Sequence, residues 1–557
     1  MSAKIDYEAI DRIITSNFDK FRKKGVLTVR PGYKISNGWI VDEPAIVVTV
    51  DKKLANVPQS QQLPKSVGGV PVDVREATGL QRLKAKSPTT FDLAKVHMRG
   101  EFREPDWKFE RAAPNGNLVP LNSNVASPSG LQSASKKPSI TYTAPAGVQL
   151  AKFTGKTTIL ACVSPDDGYA VLKNFLSQTT SDLTIAMYDF TSADLLQDVL
   201  DVVKSGKTFT MVLDNPPIPN PTANQTDQVT HDTILAASQK AKINWALVRS
   251  DPRVSKWIFP SAYHIKVVVQ DSSVFWLSSG NFNNSNEPSL DPNDPHRRDP
   301  AISDRDWHVI ILNEGLAQMY KAFIENDFAV ALPEQGTGDE VQHHLIGNAL
   351  DALNTERAKS SATPPAPLKV IPSNFQHQVF QDIDVSIQPL LTPDPGTNST
   401  MYIDNVLNLI NSAKTKLYIQ TQYIHPSEKT EDVDFMKLLT AVHTAKSNNV
   451  EVKIILSEFE NQGQWVEKIN ELDLVDGILR LQNNVHNKGI VVDSKVVMVS
   501  SENWSADAAL RNRDAGVIIE NEAVAQYFEQ IFLDDWNKRA IVKIKSEAAS
   551  DTPAEGD

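Results

Sequence analysis

Residues 263–283 read YHIKVVVQDSSVFWLSSGNFN, and residues 485–505 read VHNKGIVVDSKVVMVSSENWS. Aligned without a gap, both fit His-x-Lys-x4-Asp-x6-Ser-Ser-x-Asn, with His264, Lys266, Asp271, Ser279 and Asn281 in the first copy and His486, Lys488, Asp493, Ser501 and Asn503 in the second. The flanks repeat too. One copy opens on SPDDGYAVLKNFLSQTTSDLTIAMYDF from Ser164, the other on TPDPGTNSTMYIDNVLNLINSAKTKLYIQTQYI from Thr392. Asp166 and Asp394 of these openings lie 228 residues apart, and His264 and His486 lie 222 apart. Two units of one design are therefore expected, each alternating strands and helices around a largely parallel sheet.

The spacing within each motif predicts its shape. His and Lys two apart on a β-rich run share a face. Asp-Ser-Ser and Asp-Ser-Lys interrupt β-branched runs, so each motif reads as a hairpin folding about residues 272 and 494. Position 264 then faces 280, and 486 faces 502, so that Ser279 and Asn281 bracket one histidine and Ser501 and Asn503 the other. An imidazole, an ammonium, a hydroxyl and an amide at one hairpin end make a site for a tetrahedral anion. A further Asp precedes the next β-run in each unit, Asp306 and Asp514, and a carboxylate on the far ring nitrogen fixes an imidazole's tautomer. Asp306 is expected on His264 and Asp514 on His486. Asp271 and Asp493 belong to the motif, yet their turn positions suit a structural role as readily as a catalytic one.

Outside the repeats the expected organisation is a small α+β module over 1–95, a Pro-, Ser- and Asn-rich linker over 96–150, repeat 1 over 151–335, a second linker over 336–375, repeat 2 over 376–545 and a disordered tail over 546–557. The 557 residues carry a net charge of −12. Residues 1–100 hold 17 Lys and Arg against 10 Asp and Glu, leaving −19 for the rest. A strongly acidic catalytic region argues against a nucleic-acid groove. The single cysteine, Cys162, excludes an intrachain disulfide and a multi-cysteine zinc site, and no apolar run is long enough to span a membrane. A cytoplasmic location is expected.

The paired motif resembles the HKD signature of the phospholipase D superfamily, over about residues 155–545, with Ser278 and Ser500 where that family has glycine. The resemblance implies an α/β fold of two repeats packed pseudo-twofold around a single-chain active site. It further implies an enzyme that cleaves or transfers phosphodiesters through a covalent phosphohistidine, without metal or other cofactor. His264, Lys266, His486 and Lys488 would be catalytic and Ser279, Asn281, Ser501 and Asn503 would bind substrate, with His264 favoured as nucleophile and His486 as acid and base. A phospholipid is the favoured substrate, on the strength of bulky residues near the motifs (Trp257, Ile258, Phe259, Trp276, Phe282, Trp504); a metal-independent nuclease is the alternative. The 14 extra residues between Asn283 and Pro300 are expected to overhang the site mouth.

Overall fold

The computed structural model describes residues 5–36, 39–54, 56–88, 91, 105, 107–112, 119–120, 139–214, 227–251, 254–291, 300, 303–331, 375–393, 400–458, 464–540 and 542–543. Most of the linkers expected at 96–150 and 336–375, and the tail at 546–557, lie outside them.

Both motifs form hairpins, Val267–Gln270 with Val274–Ser278 and Lys488–Val492 with Val496–Ser500. Val267 pairs with Leu277 and Gly489 with Val499, which sets 264 opposite 280 and 486 opposite 502. The turns place Asp271 and Ser272 at φ 51° and 56°, and Asp493 and Ser494 at 51° and 58°. Paired positive φ values match the twist of tight hairpins, and Asp tolerates them because its short side chain bonds locally.

One sheet runs through both repeats. In the first half its strands stand in the order Ala241–Trp245, Thr208–Leu213, Asp182–Met187, then the hairpin, then Asp306–Leu312 and Phe153–Ser164. The second half repeats the order in reverse: Gln378–Thr392, Asp514–Glu520, the second hairpin, Lys416–Thr421, Glu451–Ser457 and Leu479–Gln482. The halves join where Phe153–Ser164 meets Gln378–Thr392 antiparallel. The sheet is mixed rather than largely parallel. Among the described residues its parallel pairs are confined to Ala241–Trp245, Thr208–Leu213 and Asp182–Met187 in the first half and to Lys416–Thr421, Glu451–Ser457 and Leu479–Gln482 in the second, where helices make the crossovers. The motif's three-residue turn forces antiparallel pairing at the centre, because a parallel pair needs a crossover of a dozen residues or more.

Two buried arginines brace the repeats across their junction. Arg305 reaches Asp535 with Nε at 2.9 Å and Nη2 at 3.2 Å. Arg513 reaches back to Asp327 at 3.0 and 2.8 Å. Each fork grips a carboxylate of the other repeat in two places, which fixes orientation as well as distance. Each also directly precedes an aspartate of the candidate site.

The N-terminal residues form a separate sheet with Val26–Ser36 and Trp39–Val50 at its centre, flanked by the helix Tyr7–Ser16. Ile10 and Ile14 of its apolar face, with Phe18 and Phe21 of the short turn that follows it, join one hydrophobic cluster with the helices and strands of repeat 2. Glu467, on the helix Gln464–Glu471, anchors this docking. It accepts from Arg30 Nη2 at 2.9 Å, Arg75 Nη1 at 3.0 Å and the Tyr33 amide at 2.6 Å, fully buried.

Candidate active site

The inner end of each hairpin lies at the junction of the repeats. His486 N donates to the Arg305 carbonyl at 3.1 Å, and Arg513 N to the Ala262 carbonyl at 2.9 Å. Each histidine is thereby laid beside the carboxylate-bearing strand of the other repeat. His264 Nδ1 stands 2.7 Å from Asp514 Oδ1, and His486 Nδ1 stands 3.0 Å from Asp306 Oδ1. The expected partners are therefore exchanged. Asp306 does not hold His264, nor Asp514 His486, because the two halves join edge to edge in one sheet and the start of each carboxylate strand abuts its neighbour's hairpin.

The motif serines serve these carboxylates. Ser279 Oγ donates to Asp306 Oδ1 at 2.7 Å and accepts from Trp307 N at 3.0 Å. Ser501 Oγ does the same with Asp514 at 2.6 Å and Ala515 N at 3.0 Å. Their donors are spent on the aspartates, so the expectation that they bind substrate gives way to a holding role. Asn281 and Asn503 are buried, and their Oδ1 atoms have no hydrogen-bond partner. That is hydrogen-bonding capacity left within the cluster.

Both lysines are buried and fold back on the carbonyl of the histidine two residues before. Lys488 Nζ lies 3.1 Å from both ring nitrogens of His486, donates to Gln422 Oε1 at 3.3 Å, and reaches the Ser279 carbonyl of repeat 1 at 3.5 Å. Lys266 Nζ sits 4.9 Å from the centre of the Tyr188 ring, whose centroid lies 4.6 Å from that of His264 with the two planes inclined at 66°. Burial lowers the pKa of His486, and the Lys488 ammonium lowers it further against the pull of Asp306. Burial alone would raise the Asp306 carboxyl; His486 and Lys488 outweigh it and hold it below the usual range. Asp514 differs: burial raises it well above the ordinary value, and Glu502 adds to that.

Asp271 and Asp493 stand at the far ends of the hairpins, seven residues and roughly 23 Å of extended chain from the histidines at about 3.3 Å per residue. Asp271 accepts from the amides of Thr180, Ser181 and Asp182, and Asp493 from those of Lys414, Thr415 and Lys416. Burial opposes ionisation of Asp271, but the Ser181 and Thr180 amides win and bring it down to about 2. Both pin a turn to the neighbouring strand and take no part in the cluster, against their place in the motif as catalytic candidates.

Several contributors lay outside the motif. Asn286 Nδ2 donates to Asp306 Oδ2 at 2.9 Å, and Glu287 takes the Ser164 hydroxyl at 3.1 Å. Both come from the insertion after Asn283, whose described part is built into the cluster; residues 292–299 lie outside the described residues. Ile258, Phe259, Trp276, Phe282 and Trp504 are core residues, so they give no argument for a lipid. Among the described residues no group of three or more His, Cys, Asp or Glu could hold a metal ion, and no helix is long and apolar enough to cross a membrane.

Residues 406–536 match the family model described as cardiolipin synthase, PLD-like domain. A cardiolipin synthase of Clostridium perfringens (strain SM101) is 26% identical over 152 residues, covering 26% of this chain and 30% of that protein. A phospholipase D of Rickettsia felis is 30% identical over 132 residues, 23% of this chain and 61% of that protein. The chain thus spans less than two thirds of either relative. The crystal structure of phosphatidylserine synthase from Haemophilus influenzae Rd KW20 is similar over 69% of this chain and 88% of that one, at 14% identity and a TM-score of 0.45.

Proposed function

The chain carries a phospholipase D-like domain, and on that premise we propose that it cleaves or transfers phosphodiesters, with a phospholipid headgroup as substrate, at one active site shared by both repeats. The observation that carries this reading is the crossed pairing of His264 with Asp514 and His486 with Asp306. Each repeat alone supplies one imidazole and holds it with the other repeat's carboxylate. Displacement at phosphorus needs an attacking group and a proton donor on opposite sides, and the two imidazoles supply that pair.

In the first step a neutral imidazole forms a nitrogen–phosphorus bond as the bond to the leaving oxygen breaks, and the other imidazole gives that oxygen its proton. In the second, the now neutral imidazole takes a proton from water or an alcohol, whose oxygen displaces the histidine from phosphorus. Lys266 and Lys488 carry the positive charge that stabilises the phosphoryl oxygens, with Asn281 and Asn503 as neutral partners, so that no step is routed through a metal. The names of the relatives, cardiolipin synthase and phospholipase D, favour a phospholipid.

The test compares initial rates on phosphatidylglycerol vesicles, phosphatidylcholine vesicles, single-stranded DNA and bis(p-nitrophenyl) phosphate, each in EDTA. Turnover of the aryl diester and of one vesicle substrate supports the reading. Faster turnover of DNA than of either lipid would replace the substrate, and activity restored only by a divalent ion would overturn the metal-free route.

A further inference from the structure

In each repeat the strand that borders the hairpin ends at the same register. Val267 pairs with Ala186 in repeat 1, and Gly489 pairs with Gln420 in repeat 2. The strands Asp182–Met187 and Lys416–Thr421 therefore run out into equivalent residues, Tyr188 and Gln422, beside the lysines of the site. Gln422 meets Lys488 Nζ with its Oε1 at 3.3 Å. Tyr188 meets Lys266 with its ring instead, Nζ lying 4.9 Å from the ring centre. The same ring packs against His264, with 4.6 Å between centroids and the planes at 66°. One buried side chain outside the motif thus touches both the imidazole and the ammonium of repeat 1.

We propose that Tyr188 is a positioning residue of the phosphoryl-transfer site, its ring face seating the Lys266 ammonium while the same ring props the His264 imidazole. This rests on the phosphodiesterase reading above. The backbone that follows Tyr188 fixes where the ring stands. Phe190 N donates to Asp227 Oδ1 at 2.5 Å, Phe282 N to the Asp189 carbonyl at 3.0 Å, and Thr191 N to the Phe282 carbonyl at 2.9 Å. Phe282 directly follows Asn281 of the motif, so the segment that carries the ring is tied to the hairpin end that it serves.

The ring has a separate task toward each group. An aromatic face carries the negative part of its quadrupole and attracts an ammonium, the more so where both are removed from water. It does this without a formal negative charge. The Lys266 charge is held in place yet not cancelled, and remains available to the phosphoryl oxygens. His264 is fixed at Nδ1 by Asp514 at 2.7 Å, but one hydrogen bond leaves an imidazole free to swing about it. A ring packed against its side stops that swing and keeps Nε2 aimed at the place where phosphorus must sit. Neither task uses the phenol hydroxyl. The first depends on the electron density of the ring, the second on its shape.

The test separates density from shape. Tyr188→Phe is the reference, and phenylalanines bearing one, two and three ring fluorines are placed at the same position of the full-length chain. Fluorine drains the ring face of negative potential while nearly keeping its size. Initial rates on bis(p-nitrophenyl) phosphate should fall stepwise with each fluorine, ending about tenfold below the reference in kcat/KM, with thermal melts unchanged. Tyr188→Leu, which loses face and prop together, should fall further, by about thirtyfold or more. Equal rates along the folded fluorine series overturn the seating of Lys266 even if the leucine variant is impaired, since a ring that only fills space does not respond to fluorine. A leucine variant as fast as the reference overturns the positioning role altogether. Should the trifluorinated chain not fold, the first two members of the series decide. A wild-type chain inert toward every diester overturns the phosphodiesterase reading, and this proposal with it; a flat series in an active enzyme overturns this proposal alone.

Discussion

Asp306→Asn tests the crossed pairing, because the damaged imidazole should belong to the other repeat. Asp306 is fully buried and accepts from three directions: His486 Nδ1 at 3.0 Å, Ser279 Oγ at 2.7 Å and Asn286 Nδ2 at 2.9 Å. An asparagine there must aim its amide NH2 at a group that is itself a donor. If the NH2 replaces Oδ1, His486 must turn its Nδ1 lone pair toward it, and the ring's proton is fixed on Nε2, the nitrogen that has to exchange protons or bond to phosphorus. If it replaces Oδ2, the Asn286 amide loses its acceptor. The first arrangement reproduces the wrong-tautomer defect known from catalytic triads, on the order of 10³–10⁴ in kcat. The lost bond costs about 1–3 kcal/mol of stability, partly offset because a neutral amide is cheaper to bury than a carboxylate.

Two measurements follow. Initial rates on bis(p-nitrophenyl) phosphate should fall by the factor above, with thermal melts confirming a folded chain. Histidine-selective ¹⁵N spectra, assigned with His264→Gln and His486→Gln, should show the His486 tautomer changed and His264 unaltered. A change confined to His264, the histidine of the same repeat as Asp306, would refute the crossed arrangement and the shared site built on it.

Asp271→Ala and Asp493→Ala should each lower stability by about 1–2 kcal/mol, since each removes a carboxylate that satisfies three backbone amides at the start of the neighbouring strand. The kcat of the folded fraction should stay within about threefold, and a loss near 10³ would return these residues to the chemistry. His308→Gln should flatten the acid limb of stability. A folded pKa near 4 means that the unfolded chain binds the proton first, so stability is full above the unfolded value of about 6.5 and falls as pH drops toward 4. Unfolding free energies of wild type and variant, read from urea titrations across pH, should therefore converge on acidification by up to about 3 kcal/mol, and parallel curves would argue against a neutral His308. Glu467→Ala strands Arg30 and Arg75 against repeat 2 and should cost about 3–5 kcal/mol, read as a lower urea midpoint; an unchanged midpoint would mean that the docking rests on the apolar contacts alone.

Periodicity and local turn chemistry made the hairpins readable from the chain. Asp271-Ser272 and Asp493-Ser494 mark the turns, and counting back from them fixes what faces His264 and His486. The carboxylate partners were not readable in the same way. Spacing along one repeat shows that Asp306 follows His264 by 42 residues, but not which hairpin end the start of that strand touches. That depends on how the two halves of the sheet join, a contact between residues 180 or 250 apart. A signal was present in the doubled Arg-Asp at 305–306 and 513–514, since a buried arginine beside each aspartate needs a counter-charge from elsewhere. Asn286 and Glu287 left no such trace, because nothing in the composition of a Pro- and Asn-rich loop distinguishes residues folded into a site from residues over it.

A twofold arrangement poses a problem that its own symmetry cannot solve. Phosphoryl transfer through a histidine needs one neutral and one charged imidazole at the start. Two identical half-sites would share that proton equally, so half of the molecules would hold it on the wrong side for a given orientation of substrate. The first layer here is close to identical in both repeats: His, Lys, Ser, Asn and a crossed Asp. Differences therefore have to enter behind it or beside it. They do so at Glu502 against Gly280, at His308 against Gly516 and at Tyr188 against Gln422, which face Lys266 and Lys488 respectively. Duplication supplies both reacting groups at once. The second layer is where the two copies can diverge without disturbing the geometry that each holds for the other.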